Sequence, residues 1–405
     1  MSARAGALER LRDARRERPA LAAFAGVFAA TLTAFLAVGA VLPVLPRYVK
    51  DELGAGDVAV GVVAGAFAFT AVVGRPIGGR LADTRGRRLV VTIGLLVTGL
   101  AGALYLLPLG VPGLVLARLV LGAGDGWVFT AGLSWIVDLA PAQRRGQAIG
   151  LFGLAVWGGL SAGPVLGEAV LSLASYEAVF VFAALLPVAG AVIARRVPDR
   201  HVPTAAPAGG ARALLPPGVL APGIALALAN VGYGTMSGFV VLLLADRDIG
   251  NGAAVFTAFA TAVVGARLLL AHLPDRLGAH VTAAAAGAAE ATGLAVLAVA
   301  PSLGVALAGA VVMGAGFALL FPSLALIALA RAGEERRGTA MGAFTAFFDV
   351  GVGLGAPLAG AVAALASYEA AFFVGAAAAA VGVVVGVVVA RGGDEGCEAE
   401  VTAPA

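Results

Sequence analysis

The sequence predicts an all-α integral membrane protein of twelve transmembrane helices in two pseudo-symmetric six-helix bundles, and three observations carry that prediction. Hydrophobic residues make up 60% of the 405-residue chain and charged residues only 13%, whereas soluble chains run about 45–50% apolar with roughly a quarter charged. The apolar residues fall into runs of about 20, the length a helix needs to cross a bilayer. Finally, the chain repeats itself at a fixed offset of 192 residues.

The elements follow in order. Arg4, Arg10, Arg12, Arg15, Arg16 and Arg18 make a basic arm over 1–20. The apolar run from Leu21 to Leu45 is longer than the roughly 7–15-residue core of a secretory signal, so it reads as span 1, near 21–46. Spans 2 and 3, near 57–78 and 89–109, are separated by GGRLADTRGRR (Gly78–Arg88). Span 4, near 111–138, ends before Arg144 and Arg145, and spans 5 and 6 lie near 147–171 and 177–195. The Pro-, Ala- and Gly-rich stretch Val197–Gly218 reads as a flexible linker between a first bundle over 21–196 and a second over 219–390. The second bundle holds spans near 219–243, 251–271, 279–300, 302–330, 339–364 and 368–390. Residues 391–405 form an acidic tail expected to be disordered. All spans should be helices, because hydrocarbon offers no partner to an open backbone and the alternation of a barrel strand is missing.

Orientation follows from Arg and Lys, which stay on the cytoplasmic side. Arg80, Arg85, Arg87, Arg88, Arg144, Arg145, Arg195, Arg196, Arg200, Arg212, Arg276, Arg331, Arg336 and Arg337 all fall on one side of the membrane; the other side has Arg47, Lys50 and Arg247. Both termini are therefore expected in the cytoplasm, with the protein in the cytoplasmic membrane. RRGQAIG (Arg144–Gly150) recurs as RRGTAMG (Arg336–Gly342), ASYEA recurs at Ala174 and Ala366, and GAG recurs at Gly122 and Gly314. Six spans per copy leave both copies in the same orientation, which implies an axis along the membrane normal.

Three motifs carry a resemblance to the major facilitator superfamily of secondary transporters. GRLADTRGRR (Gly79–Arg88) resembles the family's loop between spans 2 and 3, with Thr84-Arg85 departing from its usual basic and aromatic pair. A second copy, AHLPDRLG (Ala271–Gly278), keeps only Asp275 and Gly278. RLVLGAGDG (Arg118–Gly126) resembles the Arg-bearing motif of span 4, and GLSAGPVLGE (Gly159–Glu168) resembles a span 5 element associated with antiporters. The resemblance implies gating by Gly79, Asp83, Gly86, Arg87 and Arg88. Asp83 would face the helix start near Gly338 and Thr339, and Arg87 would pair with Asp138 to lock the halves in the outward-facing state. Gly159, Gly163, Pro164 and Gly167 would form the antiporter-type element.

An acid inside a membrane is costly and is normally paired or functional. Arg118 and Asp125 lie on one helix face about 10.5 Å apart, close enough for coupling through long side chains or water. Asp125 is the first candidate to carry a proton, with a permanently ionised partner of Arg118 as the alternative. Asp349, whose aromatic setting after Phe344, Phe347 and Phe348 favours a desolvated proton-binding carboxyl, and Glu290, with an interfacial or helix-packing hydrogen bond as its alternative, follow. Glu168 is either a further protonatable group or the outer end of span 5. Arg75 and Arg267 occupy matching repeat positions and are expected to snorkel to the cytoplasmic interface. Span 1 has no acid, unlike several drug exporters.

The resemblance places the cavity among spans 1, 4, 7 and 10, where Thr31, Thr33, Trp127, Thr130, Asn230, Tyr233, Phe317 and Phe321 would line it. That lining suits a hydrophobic or amphipathic small molecule, cations included, better than a phosphate, dicarboxylate or sugar. No GxxxxGK[ST] sequence occurs, so the energy source is expected to be the proton gradient rather than ATP. Cys397 is the only cysteine and the three histidines are scattered, so neither metal nor cofactor is expected, and no nucleic acid. The expected protein is a monomeric proton-coupled efflux antiporter, not an enzyme. A metabolite uptake symporter and a transport-inactive membrane sensor or assembly protein stay open as alternatives.

Overall fold

The computed structural model describes residues 2–141, 144–199, 218–332 and 337–401, with side chains placed for 21–141, 144–199 apart from Gly146, 218–332 and 340–386. Twelve helices among these residues are long and apolar enough to cross a membrane, and no strand occurs among them. In the first half they are Leu21–Glu52, Asp57–Arg85, Arg87–Leu104, Gly110–Leu139, Gln147–Leu173 and Tyr176–Arg196. In the second they are Leu220–Asp246, Gly252–Leu270, Ala279–Ala298, Leu303–Ala332, Ala340–Leu365 and Tyr368–Gly386. Pro43, which has no N–H to donate, coincides with a break in span 1 after Val41, beyond which the chain resumes at Val44–Arg47 and ends in a π-helical turn, Tyr48–Glu52.

The repeated ASYEA segments are helix starts. Ser175 Oγ accepts from the Ala178 N–H at 3.3 Å and Ser367 Oγ from the Ala370 N–H at 3.1 Å, so each serine satisfies one of the free donors at the head of span 6 or 12.

Two boundaries differ from the sequence expectation, and the first matters for function. Span 2 runs to Arg85 instead of ending near 78, so most of the charged stretch is helix and the connection to span 3 shrinks to Gly86. Gly86 adopts φ 99° and ψ 146°, a region closed to side chains with a Cβ, and Gly278 repeats it at φ 86° and ψ 148°. The last helix continues as backbone from Tyr368 to Val401, where a disordered tail was expected from 391. Most of the expected linker falls outside the described residues.

Packing follows the repeat. Span 1 packs on spans 5 and 6, span 4 on spans 2 and 3, and span 3 on span 6; span 7 packs on spans 11 and 12, span 10 on spans 8 and 9, and span 9 on span 12. The halves meet mainly through spans 2 and 11 and through spans 5 and 8, which the repeat exchanges. The glycines of span 5 make its contact with span 1 close: a Cβ on Gly163 would lie 2.7 Å from the Gly39 Cα, and one on Gly159 would lie 2.7 Å from the Phe35 Cβ. Small residues let backbones approach where lipid supplies no hydrophobic drive between helices. Spans 2 and 11 approach as closely towards the end remote from Gly86, where a Cβ on Gly65 would lie 2.8 Å from the Gly353 carbonyl.

Candidate functional site

Because span 2 continues to Arg85, Arg75 stands about 15 Å along the helix from that end, inside the membrane-spanning segment. It does not reach back to the interface. Arg75 Nε donates to Asp349 Oδ2 at 2.7 Å and Nη2 to Asp349 Oδ1 at 3.0 Å, a two-pronged fork between span 2 of one half and span 11 of the other. Arg75 Nη2 also lies 3.5 Å from Asp125 Oδ2 on span 4, and its Cζ stands 4.7 Å over the Phe129 ring. Side-chain exposures of 15% for Arg75, 11% for Asp125 and 1% for Asp349 keep all three largely from solvent, so bulk water screens their interaction weakly. One guanidinium is thus shared by two carboxylates, one from each half.

One expectation is corrected here: Arg75 is an intramembrane ion-pair partner and not a snorkelling residue, and it is the cation in direct contact with Asp125. Arg118 turns the other way: Nε donates to the Val63 carbonyl at 3.1 Å, Nη2 to the Ala64 carbonyl at 2.7 Å, and Cζ lies 4.7 Å over the Phe67 ring. Those carbonyls keep a second lone pair beside their own helix bonds. Arg118 and Asp125 still border one small cavity of about 30 Å3, together with Val38, Leu42, Phe67, Leu121, Tyr233 and Ser237.

The other acids stand apart from this cluster. Glu168 pairs with Arg47 at the end remote from Gly86. Glu290 is fully buried, and neither carboxylate oxygen has a hydrogen-bond partner among the described residues. A further contact between halves closes the remote end: Asp57 Oδ1 accepts from Lys50 Nζ at 2.8 Å and from the Tyr368 hydroxyl at 2.7 Å.

Arg87 pairs with Asp138 at 2.6 Å and with Asp83 at 3.6 Å, and the Arg88 N–H donates to Asp199 Oδ2 at 3.0 Å. The expected Arg87–Asp138 partnership forms, and these contacts brace spans 2, 3 and 4 of the first half. The expected partner of Asp83 at the start of span 11 falls outside the described side chains.

Of the expected cavity residues, Tyr233 and Phe317 come together with ring centroids 5.2 Å apart, and Phe348 links them to Phe321. Trp157 and Phe259, not anticipated from the sequence, complete the cage at 5.3 and 5.4 Å from Phe317. Thr31, Trp127 and Thr130 are packed among helices instead, and Thr31 Oγ and Trp127 Nε1 are buried without partners among the described residues. Asn230 Nδ2 donates to the Leu226 carbonyl at 2.8 Å, while its Oδ1 is buried and unpaired among the described residues.

The model of the Major Facilitator Superfamily matches residues 27–289 and 223–396. An uncharacterized MFS-type transporter of Salmonella typhimurium is 33% identical over 368 residues, covering 89% of this chain and 94% of that protein. One from Burkholderia mallei is 35% identical over 361 residues, covering 87% and 88%. Among solved structures, a point mutant of the nucleoside transporter NupG superposes with a TM-score of 0.74 at 14% identity, over 90% of this chain and 99% of that one. The human organic anion transporter MFSD10 (TETRAN) gives 0.69 at 18% identity, over 91% and 99%, and both likenesses speak to the fold. Twelve spans in two repeated halves, a family match over nearly the whole chain and relatives above 30% identity agree: this chain is a multi-pass membrane transporter, not an enzyme, and it belongs to the Major Facilitator Superfamily.

Proposed function

We propose that the protein is a proton-coupled efflux antiporter of hydrophobic or amphipathic small molecules, acting as a monomer in the cytoplasmic membrane with both termini in the cytoplasm. The observation that carries this reading is the fork of Arg75 on Asp349, with Asp125 at 3.5 Å. One guanidinium stands between two carboxylates, so a proton on one of them leaves Arg75 still paired with the other. Removing one partner of a buried pair costs about 3–5 kcal/mol. Here Arg75 is not left alone when Asp349 takes a proton, because Asp125 already stands beside it. Protonation therefore exchanges one pair for another at a smaller cost and releases the bond between the halves.

Alternating access needs such a release, and an exchanger must not change state when empty. The ionised fork supplies that block on the proton side. A proton crossing a 100 mV potential supplies about 2.3 kcal/mol, and each pH unit adds about 1.36 kcal/mol, which is the scale of the exchange just described. Export is favoured over uptake by the Gly159–Gly163–Pro164–Gly167 element, whose glycines seat span 5 on span 1.

Proteoliposomes loaded with a pH-sensitive dye test this. Substrate movement should drive proton movement in the opposite direction, and Asp125→Asn should abolish that flux while the protein still folds and still binds substrate. Proton and substrate moving together would show symport, and wild-type coupling in Asp125→Asn would remove Asp125 from the mechanism.

A further inference from the structure

The repeat sets a puzzle at the second contact between the halves. At the offset of 192 residues Arg75 maps onto Arg267, Asp349 onto Trp157 and Asp125 onto Phe317. The first half thus has a guanidinium held by two carboxylates. In the second half the matching guanidinium is kept, and both acid positions are aromatic.

Arg267 belongs to span 8 and reaches across to span 5 of the other half. Its Cζ lies 5.8 Å from the centre of the Trp157 ring, and a Cβ on Gly153 would come within 3.4 Å of its Nη1. Arg267 has no ion pair and no hydrogen bond among the described residues, and its Nε is buried without a partner there. An arginine keeps its charge in a protein, and a charge inside a membrane normally finds a partner. A single indole face replaces little of what two carboxylates supply.

Beside this cation lies the aromatic cage. The Trp157 ring is 6.3 Å from Tyr233, 6.1 Å from Phe259 and 5.3 Å from Phe317, so the side of Trp157 away from Arg267 is a packed cluster of aromatic rings. Asp125 and Asp349, the acids at the other contact between the halves, are both engaged with Arg75. The geometry therefore points to a site for an amphipathic monoanion: we propose that a substrate carboxylate docks on Arg267 as Asp349 docks on Arg75, with its apolar body against Trp157, Tyr233, Phe259 and Phe317. This rests on the transport reading above and gives its substrate a sign of charge. One guanidinium serves a monocarboxylate and leaves the second charge of a dicarboxylate unpaired.

The test uses the purified full chain and three probes of one shape: 1-naphthoate, the neutral 1-naphthamide and the cationic 1-naphthylmethylammonium, each titrated by calorimetry. The carboxylate should bind saturably and about 10- to 100-fold more tightly than the amide, the range expected for hydrogen bonds to a charged group. Arg267→Gln should erase that preference, and Arg267→Lys should keep part of it. The comparison among probes on the wild-type chain stands even where a variant fails to fold. Equal or tighter binding of the amide or the ammonium, no saturable binding of 1-naphthoate, or a preference that survives in Arg267→Gln would overturn the proposal. The two readings fail separately: proton flux driven by the ammonium without 1-naphthoate binding removes the anion site and leaves proton antiport standing, whereas 1-naphthoate binding without any proton flux does the reverse.

Discussion

Arg75 is the residue on which the account turns, since its guanidinium touches Asp349 in one half and Asp125 in the other. Arg75→Gln leaves two largely buried carboxylates without their cation. It should lower stability in detergent by about 3–5 kcal/mol, read as a fall in the thermal unfolding midpoint. Replacing the fork as a unit, Arg75→Leu with Asp349→Leu, should restore much of that loss while abolishing proton-linked transport, because well-packed apolar residues often substitute for a buried pair at no cost. The acids were legible in the sequence as intramembrane charges, with Asp125 foremost. Their common partner was not legible, for a definite reason: with span 2 ending near 78, Arg75 stood at an interface, and with the helix running to Arg85 it stands within the span. Likewise the spacing of Arg118 and Asp125 gives their face on one helix and says nothing of which neighbour each meets.

Among the elements, the turn between spans 2 and 3 has the sharpest conformational demand. Gly86 joins two helices by itself at φ 99° and ψ 146°, and Gly278 does the same in the repeat. Gly86→Ala should cost about 1–3 kcal/mol, seen in the melting temperature of the purified chain, because only glycine occupies that region without strain. The same substitution at Gly150, whose Cβ would meet no atom within 4 Å and whose φ is ordinary, should cost no more than a few tenths of that. The glycine motifs were readable as close helix approach. Which helices approach was not: Gly159 and Gly163 meet span 1, and Gly65 meets span 11. A motif fixes the surface of one helix, and its partner is set by tertiary packing many residues away.

At the scale of the whole molecule, the number of spans and the two-fold repeat were legible, because hydropathy and an exact offset survive in one dimension. The repeat also holds a finer correspondence. Aligning Asp125 with Phe317 and Asp349 with Trp157 marks the charged contact and the aromatic contact as counterparts. The charges of GRLADTRGRR suggested a latch between halves, and its expected partner at the start of span 11 lies outside the described side chains; within the first half Arg87 pairs with Asp138. Among the described residues, side-chain bonds between halves include the Arg75 fork, the Tyr368–Asp57 hydrogen bond and the Ser161–Thr261 hydroxyl pair at 2.6 Å. The central claim, that neutralising Asp349 frees the halves, is tested by pulsed-dipolar distances between spin labels at Val58 and Leu365. Both positions are exposed, at 50% and 89%, and stand at the same end of opposite halves. With Cys397→Ser as background, the wild-type chain should give a short distance at pH 8, and Asp349→Asn should add a longer component at the same pH. Asp349→Asn distances that match those of the wild type would contradict the account.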